Sequence, residues 1–383
     1  MYLDNAATSF PKPDSVCDAV NTWMRQGAAA GRGNHRGSED AQRLLDSCRS
    51  QLARLLDVPS PSHVVFTFNC TDSLNTVLQG LLKPGDRVLA SKLDHNSVLR
   101  PLQALREQRS VDYHLIDFEP STGQIDVEEW QRQLTTRPCR LVVINHASNV
   151  IGTVQDVAEL TRLAHDAGAL VLLDAAQTAG HLPISMTELD VDFLAAAGHK
   201  GLSGPLGTGV LCVRKGLESQ LNPLRYGGTG TASESLEQPQ SMPHRFESGN
   251  LNLPGIAGLN AAVEWIQTQS VSAIHSSIRQ HSLRLMQGLL DIPQVRVLSP
   301  ISGCETGIVS FELINQDCRE MAMILDQSFD IQCRAGLHCA PLVHERLGTL
   351  ARGGTLRFSP GSFTRAEDID TALRAVAEVA SAV

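Results

Sequence analysis

The sequence predicts an α/β fold: a large domain with a mainly parallel sheet covered by helices, followed by a smaller α+β C-terminal domain. Three observations carry this. From about residue 63 to 213, short apolar runs alternate with amphipathic stretches of helical length, and such runs, separated by helices, suit a parallel sheet buried on both faces. The segment 227–250 then breaks that rhythm with Gly, Ser, Glu, Pro and Gln. Beyond Pro254 a helix-rich stretch gives way to further strand patterns and a closing helix.

In chain order, strands are expected at 64–68, 87–90, 113–116, 140–145, 170–174, 191–195 and 209–213. Helices at 72–82, 126–134 and 156–167 fall between them. A ligand site on such a sheet lies at the carboxyl ends of the strands. Segment 227–250 reads as a long functional loop, since an unstructured stretch of that length is unusual inside a compact domain. Later strands are expected at 295–298, 307–312, 331–334 and 355–359, and a helix at 365–379. The chain therefore divides into a large domain, 15–249, and a small domain, 250–383, joined by the N-terminal residues 1–14.

A chain of 383 residues with 42% hydrophobic and 19% charged content is that of a soluble globular protein with a sizeable core. Its net charge of -9 repels nucleic acid phosphates and anionic lipid, so a small molecule or another protein is the expected partner. No apolar leader opens the sequence, and no run of about 18 apolar residues predicts a membrane span. The nine cysteines, at 17, 48, 70, 139, 212, 304, 318, 333 and 339, are scattered and odd in number. They form neither a disulfide framework nor a paired zinc spacing, so no metal is expected and a reducing cytoplasm is the natural compartment.

The chemistry gathers at strand ends. Lys200 follows His199 in a turn-rich passage, and Asp174, 26 residues earlier, closes the apolar run Leu170-Val-Leu-Leu173. An isolated aspartate there is an ordinary strand-ending turn residue, and a lone lysine is an ordinary surface charge. Together they meet two needs of pyridoxal phosphate chemistry, an imine-forming amine and an anion at the pyridine nitrogen. Thr71 and Asp72 sit where a strand runs into a helix, a place whose free N–H groups suit a phosphate, although both residues also serve as plain helix caps. His95 opens a loop at another strand end, in position to stack on a ring or to face solvent. Cys339, in Arg334-Ala-Gly-Leu-His-Cys339, is a candidate nucleophile on a small-residue loop, or else one more structural thiol.

Taken together, these residues resemble the class V aminotransferase group of fold-type I pyridoxal phosphate enzymes, in its cysteine desulfurase and selenocysteine lyase branch. The resemblance spans nearly the whole chain. It runs through Tyr2-Leu-Asp-Asn-Ala-Ala-Thr8, Gly31-Arg-Gly-Asn-His-Arg36, His146-Ala-Ser-Asn149-Val-Ile-Gly152, Asp174-Ala-Ala-Gln177, Gly198-His-Lys200, Arg245-Phe-Glu-Ser-Gly249, the Cys339 loop and Leu356-Arg357-Phe-Ser359. The form Arg-x-Gly-x-His-Cys is similar to the Suf-type rather than the Isc-type enzymes. What the resemblance implies is Lys200 as the Schiff base lysine, Asp174 at the pyridine nitrogen, His95 stacked on the ring and Gln177 on the ring hydroxyl. Thr71 and His199 would contact the phosphate, with Asp72 nearby. Asn149 and Arg357 would hold the substrate carboxylate, with Arg334 close by, and Cys339 would carry sulfur as a persulfide.

Two positions depart from the family pattern. Ala197 stands where relatives often have a serine of the phosphate cradle, and Asn250 stands where a threonine often reaches the neighbouring subunit's phosphate. The implied activity is conversion of L-cysteine to L-alanine with transfer of sulfur to an acceptor protein, of the kind that serves iron-sulfur cluster biogenesis, by a homodimer. A selenocysteine lyase acting on L-selenocysteine needs nearly the same site. An aminotransferase, a kynureninase-like lyase or an epimerase would not need Cys339, and a catalytically silent partner-binding scaffold would not need Lys200 and Asp174.

Overall fold

The computed structural model describes every residue except 27, 28, 32, 34, 302–304 and 383. Arg32 and Asn34 of the glycine-rich motif and Cys304 thus lie outside the described residues. Seven strands form the larger sheet: β1 (Val64–Thr67), β2 (Arg87–Ser91), β3 (Asp112–Ile116), β4 (Leu141–Asn145), β5 (Leu170–Asp174), β6 (Phe193–Ala197) and β7 (Gly209–Val213). Their spatial order is β1-β7-β6-β5-β4-β2-β3. From β3 across to β6 all pairings are parallel, and β7 runs antiparallel to both its neighbours.

Burial follows the pattern that predicted the sheet. In β5, Val171 and Leu173 enter one apolar cluster while Leu172 enters another on the opposite face. Each such side chain contributes roughly 1.5–3 kcal/mol on burial. The connecting helices supply the covers: α3 (Cys70–Leu81) and α4 (Asn96–Arg109) pack on one face, while α5 (Val127–Thr136) and α6 (Val157–Asp166) pack on the other. Two more helices, α1 (Asp14–Met24) and α2 (Arg36–Leu55), pack on α7 (Leu253–Gln269).

A second sheet is built of β8 (Val295–Val297), β9 (Val309–Leu313), β10 (Arg334–Gly336) and β11 (Thr355–Phe358), in the order β10-β11-β9-β8 with every pair antiparallel. Helices α8 (Val271–Leu290), α9 (Cys318–Phe329) and α11 (Ala366–Ala382) enclose its own apolar cluster. The short α10 (Pro341–Arg346) follows the loop that carries Cys339.

Several strands start later than their hydrophobic runs predict, β9 at Val309 rather than 307 among them, and for β6 and β10 the cause is visible. Asp192 exchanges both its amide and its carboxylate with Val171, at 3.1 and 2.8 Å, which uses up the edge before β6 begins at Phe193. The run expected at 331–334 splits: Gln332 pairs with the N-terminal segment, with Leu3 N–H on Gln332 O at 2.8 Å, and β10 begins only at Arg334. The same N-terminal segment bonds Ser359 through Leu3 and Asn5, so it lies between Gln332 and the end of β11. Loop 227–250 has no helix or strand, and it is anchored by Glu247. That carboxylate accepts from Arg49 at 2.5 and 2.7 Å and from the Phe66 amide at 2.6 Å, in a buried pair. Among the described residues no helix is long and apolar enough to cross a membrane.

Candidate active site

The carboxyl edge of the large sheet is where the chemistry collects. The carboxyl ends of β1, β2, β4, β5 and β6, with the segments that follow them, deliver Thr71, His95, Asn149, Asp174 with Gln177, and His199 with Lys200 to one cleft of about 220 Å³. Parallel strands make this inevitable, because all their carboxyl ends face the same way and the apolar runs end together.

Lys200 is presented by a tight passage. The Gly198 amide bonds Thr208 O at 3.0 Å, and a Cβ on Gly198 would stand 2.1 Å from Thr208 Oγ1, so only glycine fits there. Burial pushes the Lys200 amine down, against the raising effect of Cys70 and Asp174. Burial likewise pushes the Asp174 carboxyl up, against the Ala176 amide and the charge of Lys200. Both groups are thus moved toward their neutral forms while each partly restores the other's charge. Asp174 Oδ1 accepts from the Ala176 amide at 3.0 Å and from the Cys70 thiol at 3.5 Å.

His95 caps its own helix, its Nδ1 accepting from the Ser97 amide at 3.0 Å, which leaves Nε2 to carry the ring proton. Burial, then the charges of Lys200, Arg334, Arg100 and Arg357, holds it neutral, with a pKa of about 4. His199 is lowered to about 4 by burial and by Lys200 and Lys12, and its Nδ1 has no partner. Gln177 donates to Ala6 O at 3.1 Å.

Not every expected residue faces the cleft. Asp72 turns aside to hold Arg225 at 2.8 and 2.9 Å and the Phe68 amide at 3.0 Å. The cap of α3 is Asn69, whose side chain accepts from the Asp72 amide at 2.9 Å. Arg357 is fully buried beneath the cleft, donating to Asp4 at 2.7 Å and to Asn149 O at 2.9 Å, with Nε unpartnered. Asn250 lies apart, lining a larger cavity of about 580 Å³ beside Arg49 and Glu247. Ala197 lines the cleft and offers no side-chain donor there.

The rim is completed from the small sheet. Arg334, at the start of β10, lines the cleft and its Nη2 stands 3.5 Å from Cys339 Sγ. Among the described cysteines Cys17 and Cys339 are the exposed ones, and burial drives the thiols of Cys48, Cys70 and Cys212 up. Cys70 and Asn145 are cleft residues that the sequence reading passed over. The signal for both was position, one at the first residue after a strand-to-helix turn and the other at the last residue of a buried strand.

The residues present fit pyridoxal phosphate. A partly buried lysine and a buried carboxyl face one cleft, a helix N-terminus opens onto it, and the buried Asn145 Oδ1, Asn149 Oδ1 and His199 Nδ1 await partners. Among the described residues no group of His, Cys, Asp and Glu could hold a metal ion.

Comparison with known proteins agrees with this geometry. The family model described as aminotransferase class-V matches residues 1–372. The chain is 34% identical to a protein of Enterobacter sp. (strain 638) named cysteine desulfurase, over 88% of this chain and 84% of that one. Its fold superposes on the apo structure of a cysteine desulfurase from Thermococcus onnurineus NA1 with a TM-score of 0.92 and 31% identity, covering 100% of this chain and 95% of the other. A crystal structure of a cysteine desulfurase (S-sulfonic acid) from Escherichia coli superposes with a TM-score of 0.89 and 28% identity, covering 100% of this chain and 94% of the other. The chain belongs to the class-V aminotransferase family, among the homologues of the cysteine desulfurases.

Proposed function

We propose that this protein is a pyridoxal phosphate-dependent cysteine desulfurase that converts L-cysteine to L-alanine and carries the sulfur as a persulfide on Cys339. The observation that carries this is the Cys339 thiol, exposed and 3.5 Å from the Arg334 guanidinium at the rim of the cleft that holds Lys200 and Asp174. An aminotransferase has no use for a thiol in that place.

When bound, pyridoxal phosphate supplies an electron sink for the bonds at the substrate's α-carbon. Lys200 would hold the cofactor, and its amine, already pushed toward the neutral form, is suited to move the α-proton. Asp174 would keep the proton on the pyridine nitrogen, and His95, held neutral, offers a flat ring and an Nε2–H. Thr71, His199 and the first amides of α3 would take the phosphate, with Gln177 on the ring hydroxyl. Asn149, Arg334 and the underlying Arg357 would hold the substrate carboxylate. The substrate's C–S bond then breaks as its sulfur bonds to Cys339 Sγ, and the electron pair left on carbon takes up a proton to give alanine.

The persulfide, exposed at the rim, is open to an acceptor protein, which suits a role in iron-sulfur cluster biogenesis in the cytoplasm. A homodimer would bring Asn250 of one subunit toward the phosphate of the other, since within a single chain that residue lies away from the cleft. Replacing Cys339→Ser tests the assignment. The variant should bind cofactor with an unchanged visible absorbance and form no alanine or sulfide from L-cysteine above the uncatalysed level. Turnover like that of the native chain would remove Cys339 from the reaction. Parallel assays with L-selenocysteine separate desulfurase from lyase specificity.

A further inference from the structure

We propose that His338 is a positioning residue for the Cys339 nucleophile, its buried imidazole pinning a left-handed turn that holds the thiol out beside Arg334. The proposal rests on the reading of Cys339 as the reacting thiol, and none of the roles assigned above uses His338.

The turn is the first observation. His338 and Cys339 stand consecutively at φ 49° and 59°, a left-handed conformation that side chains with a Cβ rarely adopt and almost never adopt in pairs. Such strain persists only where the surroundings over-determine it. Here they do. The His338 carbonyl accepts from Asn149 Nδ2 at 2.6 Å, and the Cys339 carbonyl accepts from the Asn96 amide at 2.8 Å. Asn149 lies in the loop after β4 and Asn96 is the first residue of α4, which follows β2 of the large sheet.

The imidazole is the second observation, because it ties the same turn to the small sheet. It is 2% exposed, and its Nε2 lies 3.0 Å from Thr355 Oγ1 on β11. The His344 ring packs against it at 5.6 Å, and that ring is in turn fixed by Nδ1 at 2.8 Å from Thr349 Oγ1. The peptide between the two residues is thus gripped by one sheet and the side chain by the other. The consequence is directional: with the ring drawn inward, the left-handed backbone turns the next side chain outward, toward Arg334 and solvent. Burial keeps both imidazoles neutral, with Arg357, His344 and Arg334 facing His338 and adding to the effect. Without the ring anchor, the two residues would relax to right-handed or extended backbone and the thiol would swing off the guanidinium.

The test uses the full holoenzyme and three variants. His338→Phe keeps the bulk and deletes the bond to Thr355, His338→Gln keeps a polar group within reach of it, and Thr355→Val removes the bond from the other side. Two quantities are measured: the rate of iodoacetamide alkylation at Cys339 at one fixed pH, followed on its peptide by mass spectrometry, and kcat and KM for alanine formation. For His338→Phe and Thr355→Val the alkylation rate should fall as the thiol leaves its exposed place, and kcat should fall roughly 10- to 100-fold with KM little changed. His338→Gln should recover part of both, and the visible absorbance of the cofactor should be unchanged in all three. Alkylation and kcat like those of the native chain in His338→Phe and Thr355→Val would overturn the pin. Should Cys339→Ser itself keep full turnover, the desulfurase reading falls, yet the alkylation rates still decide whether His338 sets the geometry of the thiol.

Discussion

The floor of the cleft and its rim are built in opposite ways. On the floor, Asp174 and Lys200 line the cleft, Asp174 held by the Ala176 amide, and burial pushes both toward neutrality. On the rim, Cys339 is exposed on a strained turn that stands where loops from both sheets meet. The difference follows from what each part must touch. A cofactor is served by polar groups fixed in a low-dielectric pocket, where electrostatic effects are largest. A thiol that takes sulfur from a substrate and passes it to a partner has to be reachable from outside. The floor therefore obtains its chemistry from burial, whereas the rim obtains it from backbone geometry.

That contrast breaks most readily at the floor. Lys200→Ala should abolish the cofactor's visible absorbance band and lower turnover by about 10⁴-fold, since in the proposed function Lys200 is both the covalent tether and the proton carrier. A variant that keeps the band would show that some other amine holds the cofactor. Next comes Asp174→Asn, nearly identical in shape but without the charge. Turnover should fall by about 10²-fold while the cofactor stays bound, the size expected for losing one preorganised electrostatic partner. A loss of cofactor with no loss of turnover in the fully loaded remainder would make Asp174 a purely structural residue.

How much of this was legible in the sequence differs between the same two regions. Most of the floor could be read from the sequence because its parts obey local rules: apolar runs end together, and whatever follows them meets at one edge, although Cys70 and Asn145 were passed over. The shifted starts of β6 and β10 were hidden, because one depends on Asp192 bonding Val171 across the sheet and the other on the N-terminal segment bonding Gln332. At the rim, Cys339 and Arg334 were visible as a motif. The supports of the turn were not, since Asn96, Asn149 and Thr355 are 243, 190 and 16 residues from Cys339 in the chain and converge only in the folded state. Asp72 and Arg357 show the converse. Their motifs place Asp72 near the phosphate and Arg357 at the substrate carboxylate, but not the charged neighbour that engages each, Arg225 in one case and Asp4 in the other.

The smallest effect expected concerns acid stability, and it bears on both regions at once. His146 behind the floor, His181 beside the Lys200 turn and His344 under the rim are all lowered to about 4 by burial, and the unfolded chain binds those protons near pH 6.5. Between those values the unfolded state holds more protons than the folded one, so each histidine removes stability as pH falls from about 6.5 toward 4, at about 1.4 kcal/mol per pH unit. Asp94, raised to about 7 by burial, acts with the opposite sign and returns stability as pH falls through 7, offsetting one histidine. The balance is a net loss. Urea unfolding midpoints at pH 7.5, 6.0 and 5.0 should therefore decline, steeply only below about 6.5, and His344→Leu should flatten the decline by one histidine's share while leaving the floor intact. If the curve is flat through pH 5, these imidazoles are protonated in the folded state, and neither the floor nor the rim is as dry as its packing implies.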